Sequence, residues 1–129
     1  MKRIAVFIVS LIFFLPISIF ADTPLPDPTQ RPDALYRLFR TSNMWTFIKL
    51  NTQDGRMWQL QFDVEGDNRF TVVLNDQPLV NTQKIIPGRF TLYPTANIFS
   101  FILLDQVDGR TWQVQWSINQ NQRTIIPIK

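Results

Sequence analysis

The chain has 129 residues, 45% hydrophobic, 13% aromatic and 18% charged, with 13 Lys+Arg against 10 Asp+Glu and neither His nor Cys. That much hydrophobicity excludes a disordered chain, and the length suits one ordinary domain. The missing His and Cys exclude Ser-His and Cys-His nucleophile pairs, the usual zinc sites and a disulfide framework.

Met1-Lys2-Arg3 opens the chain and is followed by an uncharged stretch, Ile4 to Phe20, then Ala21 and the polar break Asp22-Thr23-Pro24. A basic start, an apolar run and a small residue before a polar break predict a secretory signal over 1–21, cut after Ala21. Ile19 is larger than the residue usual at its place. The competing reading is an uncleaved anchor, but the run is short for a span and Pro16 breaks it. With no Cys after the signal, a lipoprotein anchor is excluded, and a periplasmic or secreted location is expected. Loss of Lys2 and Arg3 would leave 11 basic residues against 10 acidic ones, a net charge of +1. A near-neutral chain with no Lys/Arg run does not fit nucleic acid, which needs a basic patch. Membrane contact is expected only through the signal during export.

Residues 22–35 form a Pro-rich N-terminal segment. Its start, DTPLPDPTQRP, cannot be helical and reads as extended, solvated chain. One helical turn could begin between Pro32 and Phe39.

From Tyr36 onward the chain repeats itself at an offset of 54 residues. The copies are YRLFRTSNMWTFIKLNTQDGRMWQLQFDVEGDNRFT and FTLYPTANIFSFILLDQVDGRTWQVQWSINQNQRTI, identical at 13 of 36 positions. A fixed period predicts tandem supersecondary units, here a single β domain over 36–129 made of repeats 36–80 and 90–129. In the first copy, strands are expected at Tyr36–Thr41, Trp45–Leu50, Arg56–Phe62 and Arg69–Leu74. In the second they are expected at Phe90–Tyr93, Phe99–Leu104, around Trp112–Trp116 and at Arg123–Ile126. Asp54-Gly55 and Asp108-Gly109 fall between strands as hairpin turns. Trp58, Leu60 and Phe62 alternate with Gln59 and Gln61, and Trp112, Val114 and Trp116 with Gln113 and Gln115. That alternation predicts aromatic faces turned inward and glutamine rows turned out.

A lone meander is marginal in water, so the two copies are expected to bury Trp58, Trp112, Trp116, Phe47 and Phe101 together. The expected fold is all-β: two pseudo-twofold-related antiparallel meanders in a six- to eight-stranded barrel or sandwich. Propeller blades are a weaker alternative, because two blades do not close a ring without further copies.

Gln59, Gln61, Gln113 and Gln115 are either a solvated outer face or a hydrogen-bonding platform for a partner's backbone or for sugar hydroxyls. Arg56 and Arg110 either pair with Asp54 and Asp108 or contact a ligand. Trp45, at the start of its strand, is the expected exposed indole, and exposed Trp beside Arg suits a binding hot spot. Asp63-Val64-Glu65-Gly66-Asp67-Asn68 spaces its oxygens like the start of a calcium loop but lacks the closing bidentate Glu. Its acids share one loop and so lack the opposed geometry of glycoside chemistry. No catalytic residue, cofactor or metal is expected.

The pattern N-x-[WF]-[TS]-F-I-x-L-x-x-x-x-D-G-R-x-W-Q-x-Q, at Asn43–Gln61 and again at Asn97–Gln115, resembles small exported bacterial β-proteins of unknown function that carry one or two such repeats. Each half also resembles the aromatic hairpin of a propeller blade. The first expectation for function is a non-catalytic periplasmic protein-interaction module, inhibitor- or immunity-like. A carbohydrate or peptidoglycan binder and a structural subunit of an envelope assembly are the alternatives.

Overall fold

Period-two alternation and Asp-Gly punctuation fold this chain into eight short strands. The structure, a computed structural model, describes residues 31–81 and 83–129; the expected signal at 1–21 and residues 22–30 of the Pro-rich segment lie outside the described residues. The first repeat forms β1 (Tyr36–Arg40), β2 (Thr46–Asn51), β3 (Met57–Gln61) and β4 (Phe70–Asn75). The second forms β5 (Phe90–Pro94), β6 (Ser100–Asp105), β7 (Thr111–Gln115) and β8 (Thr124–Ile128). Each repeat is one four-stranded antiparallel meander, in the orders β1-β2-β3-β4 and β5-β6-β7-β8. The sheets do not join into a barrel. They pack as a sandwich, with β4 against β8 and β2 against β5.

Turn chemistry explains many of the residues shared by the repeats. Asn51 N–H donates to the Arg56 carbonyl at 2.8 Å and Gly55 N–H to the Asn51 carbonyl at 3.0 Å. This closure needs positive φ, and Gly55 (φ +81) and Gly109 (φ +80) supply it. At the other end, Asn43 Oδ1 accepts from Trp45 N–H at 2.9 Å, and Asn97 Oδ1 accepts from Phe99 N–H at 2.9 Å. Thr41 and Thr95 hydroxyls donate to the Thr46 and Ser100 carbonyls. Pro94 and Pro127 lie in β5 and β8, the outer strands of the second sheet.

Two connections tie the N-terminal segment and the inter-repeat linker to the first hairpin. Thr52, fully buried, donates its hydroxyl to the Ala34 carbonyl at 2.7 Å and accepts from Gly88 N–H at 2.8 Å. Its backbone carbonyl accepts from Phe90 N–H at 2.7 Å. Ala34 and Leu35 are therefore anchored, and Pro32–Asp33 form a turn rather than a helical one.

The two repeats turn opposite faces to the interface. In the second sheet Trp112, Val114 and Trp116 are buried together with Phe101, Leu103, Phe90 and Leu92, as the sequence predicts. In the first sheet the buried set is Ile48, Leu50, Met57, Gln59 and Leu74. Ile48 pairs with Gln59 and Leu50 with Met57 across the ladder, which places them on one face. Trp58, Leu60, Phe62 and Phe47 lie on the other, outward face. The expected burial of Trp58 and Phe47, and the expected exposure of Gln59, are thus reversed. The reason is hydrogen bonding. Gln59 is 1% exposed, its amide N–H₂ donates to the Ser117 carbonyl at 3.1 Å and its Oε1 accepts from Ser117 N–H at 3.3 Å. It crosses the sandwich as a bidentate clamp, so burial leaves neither partner unsatisfied. Trp116 and Phe90 are nearly or fully buried, and each such ring removes about 150–250 Å² from water, ~4–6 kcal/mol before chain entropy is counted.

A charged cluster stands at the β5–β6 end of the second sheet. Asp105 is 0% exposed and accepts from Arg89 Nε and a terminal nitrogen, both at 2.9 Å, from Arg110 at 3.3 Å and from Val107 N–H at 3.0 Å. Burial pushes its pKa up, but the Arg89 bonds and the Val107 N–H outweigh that and hold it at about 2, below the usual 3.8. The first repeat has the neutral pair Leu35 and Asn51 where the second has Arg89 and Asp105.

Gln59→Ala is expected to cost ~2–4 kcal/mol in urea unfolding, because it opens a cavity and strands the Ser117 N–H, while the Ser117 carbonyl keeps its bond from Arg123. Since the folded pKa of Asp105 is depressed, its contribution is complete above about pH 4 and fades as pH falls towards 2, a loss of ~2 kcal/mol. Asp105→Asn alone should destabilise by about 3 kcal/mol at neutral pH, because it leaves the nearly buried Arg89 with only its long 3.5 Å contact to Asp108. Arg89→Leu with Asp105→Asn, which copies the first repeat, should recover most of that and flatten the acid dependence of the urea midpoint.

Candidate functional site

The face reversal leaves the first repeat's aromatic side open to solvent. On it a groove of about 600 Å³ is lined by the apolar side chains of Leu38, Phe47, Leu60, Phe62 and Phe70, with Gln61, Thr71 and Arg69 adding polar atoms. Cross-strand register builds it. Phe47 sits opposite Leu60, and Leu60 opposite Thr71, so β2, β3 and β4 each place one of these side chains in a row. Phe62 packs edge-on to Trp45 with ring centroids 5.2 Å apart and lies 6.0 Å from Phe47. Beside the groove, Trp58 and Tyr36 meet at 6.3 Å, and Lys49 Nζ stands 4.9 Å from the Trp58 ring centre and 6.0 Å from that of Tyr36. Such a cation is held by the ring quadrupoles while its stem covers apolar surface. Tyr36, Leu38, Phe62, Phe70 and Val73 are each more than two-fifths exposed. These exposed apolar side chains form one contiguous patch around the groove.

The site residues read from the sequence are scattered rather than gathered. Trp45 is half-buried and supports Phe62. Gln61 reaches the groove wall, whereas Gln59 is inside the sandwich. Gln113 is exposed on the outward face of the second sheet, and Gln115 beside it donates to the Gln122 carbonyl at 3.0 Å. Arg56 pairs with Asp54 at 2.8 Å, and Arg110 with Asp108 at 2.7 Å, so both close their own hairpins. Sequence reasoning missed Tyr36, Leu38, Leu60 and Phe70 as surface residues. The signal for them was Lys49, a charge in a strand otherwise apolar on both faces, where the second repeat has Leu103.

The acidic loop after β3 is occupied by its own bonds. Asp63 accepts from Asn68 Nδ2 at 2.8 Å and from Glu65 N–H at 3.2 Å, and the Asn68 bond, then the Glu65 N–H, hold its carboxyl below the ordinary range. Among the described residues no group of three His, Cys, Asp or Glu side chains is placed to hold a metal ion.

No family model, curated protein or solved structure matches the chain.

Leu60 and Val114 are sequence equivalents on opposite sides of this reversal. Leu60→Arg should shift intrinsic stability by no more than about 1 kcal/mol, because the new charge meets water. Val114→Arg, at a position 0% exposed, should abolish cooperative unfolding by burying an unpaired charge. Circular dichroism melts of the two variants check the pair.

Proposed function

We propose that this is an exported, non-catalytic protein-interaction module whose docking face is the outward side of the first sheet. The observation that carries the reading is the groove of about 600 Å³ set among exposed aromatic side chains on a rigid meander. Rigid aromatic anchors in a shallow apolar depression are what protein hot spots are made from. Arg69 gives the rim a cation. The non-catalytic part rests on residue chemistry: the chain has no His or Cys, and the acids buried among the described residues, Asp54 and Asp105, are bound to Arg56 and Arg89. An inhibitor- or immunity-like role in the periplasm fits these features together with the leader that the sequence predicts at 1–21.

The carbohydrate reading is less well supported at this face. Sugar rings stack on free aromatic faces, and Lys49 stands over Trp58. A photo-crosslinking residue placed at Phe62 in the full chain, expressed in its exporting host, is expected to trap protein. The same residue at Asp76, an exposed position beyond β4, should trap none. Absence of any protein adduct at Phe62, with glycans quenching Trp58 fluorescence instead, would overturn the proposal in favour of a sugar binder.

A further inference from the structure

The face that the first sheet leaves open is the sequence counterpart of the face that the second sheet buries. Leu38, Phe47, Leu60 and Phe62 correspond, 54 residues on, to Leu92, Phe101, Val114 and Trp116, all of which are at most 4% exposed. In the second repeat this surface is covered by the first sheet's Ile48, Leu50, Met57, Gln59 and Leu74. The counterparts of those covering residues are Ile102, Leu104, Thr111, Gln113 and Ile128, on the outward face of the second sheet. That face is apolar too, with Tyr93, Ile126 and Ile128 about half exposed. The molecule therefore carries one open copy of each half of an interface it already makes internally.

We propose that the occupant of the first sheet's outward face is a second copy of this chain, docked head to tail through the outward face of its second sheet. The inference rests on the reading of that face as a protein-docking surface and names its partner. Hydrogen bonding supports it independently of apolar area. The Ser117 carbonyl accepts from Arg123 Nε at 2.9 Å and from Gln59 of the other sheet at 3.1 Å. Its counterpart, the Asp63 carbonyl, accepts from Arg69 Nε at 3.1 Å, and among the described residues nothing takes the place of Gln59. Gln113 of a second chain would supply that missing amide. Likewise the Thr52 carbonyl that takes Phe90 N–H has its counterpart in Gln106, placed to receive Tyr36 N–H of the next chain. The contact from Ser42 Oγ to the Ile98 carbonyl has no counterpart, since Ala96 stands where the hydroxyl would be.

An interface between unlike faces is heterologous and either closes into a ring or runs on as a filament. Stacked four-stranded meanders close at roughly four to eight units, which is two to four chains. Lys49 sets the strength. It stands where the internal interface has Leu103, 0% exposed, so the contact between chains is weaker than the one within a chain.

Sedimentation velocity and native mass spectrometry of the purified protein, from micromolar to millimolar, test this. The wild type should form a closed species of two to four chains. Leu60→Arg and Ile102→Arg, each confirmed folded by its melt, should be monomers alone and form a 1:1 dimer when mixed, because each retains the face that the other has lost. Gln113→Ala should weaken assembly and Lys49→Leu should strengthen it, each by about tenfold or more in the midpoint concentration. Three results would overturn the proposal: a wild type and a Lys49→Leu variant both monomeric throughout, an Ile102→Arg variant that still self-associates through like faces, or a mixture that does not pair. If assembly fails while Phe62 still crosslinks a different protein, only the identity of the partner is wrong. If both fail, the docking reading falls with it.

Discussion

The structure depends on the apposition of unlike faces. A sheet with one aromatic side and one aliphatic side can bury only one of them against a single neighbour. Here the aliphatic side of the first sheet lies on the aromatic side of the second, and Gln59 spans the gap to the Ser117 backbone. Identical sides pressed together would bring Trp58 against Trp112 and leave Gln59 facing water without that clamp. Because the two repeats stack in the same sense, Leu38 and Gln113 are exposed where their counterparts Leu92 and Gln59 are buried.

Much of this architecture was legible in the sequence. Two meanders of three or four strands each, the Asp-Gly hairpins and the pairing of two repeats follow from period-two alternation and from a 54-residue self-match. The buried face of the second repeat was legible for the same reason: Trp112, Val114 and Trp116 alternate with polar residues. The first repeat was misread because hydrophobicity alone ranks Trp58, Leu60 and Phe62 above Met57, Gln59 and Gln61. A glutamine is written off as surface unless its partner is known, and that partner is a backbone group 58 positions away. Lys49 carried the correct information. It lies opposite Trp58 in the ladder, so the two share a face, and an ammonium group is costly to bury unpaired.

The hairpin residues show how a repeat keeps its shape while its ends diverge. Asp54 and Asp108 each hold the arginine two residues on, and Asn43 and Asn97 each accept from the backbone N–H two residues on, in the turn that leads into the next strand. Those pairs serve local geometry and read the same in both copies. The residue opening each Asp-Gly loop has changed: Asn51 in one, Asp105 in the other, the latter with Arg89 as its counter-ion. The charged version is specific to the repeat that follows the linker, where Arg89 also feeds into β5. Arg56 and Arg110, which resemble ligand-seeking cations in the sequence, are consumed by the same loop chemistry.

The prolines in β5 and β8 decide how this protein can go wrong. Each removes a backbone donor from an outermost strand of the second sheet, which blunts strand-by-strand recruitment there. In the first sheet the corresponding residues are Arg40 and Val73, so β4, reading FTVVLN, has neither a proline nor a charge along its length. Among the described strands at a sheet margin, β4 therefore offers six consecutive residues on which strand-by-strand recruitment meets neither a proline nor a charge.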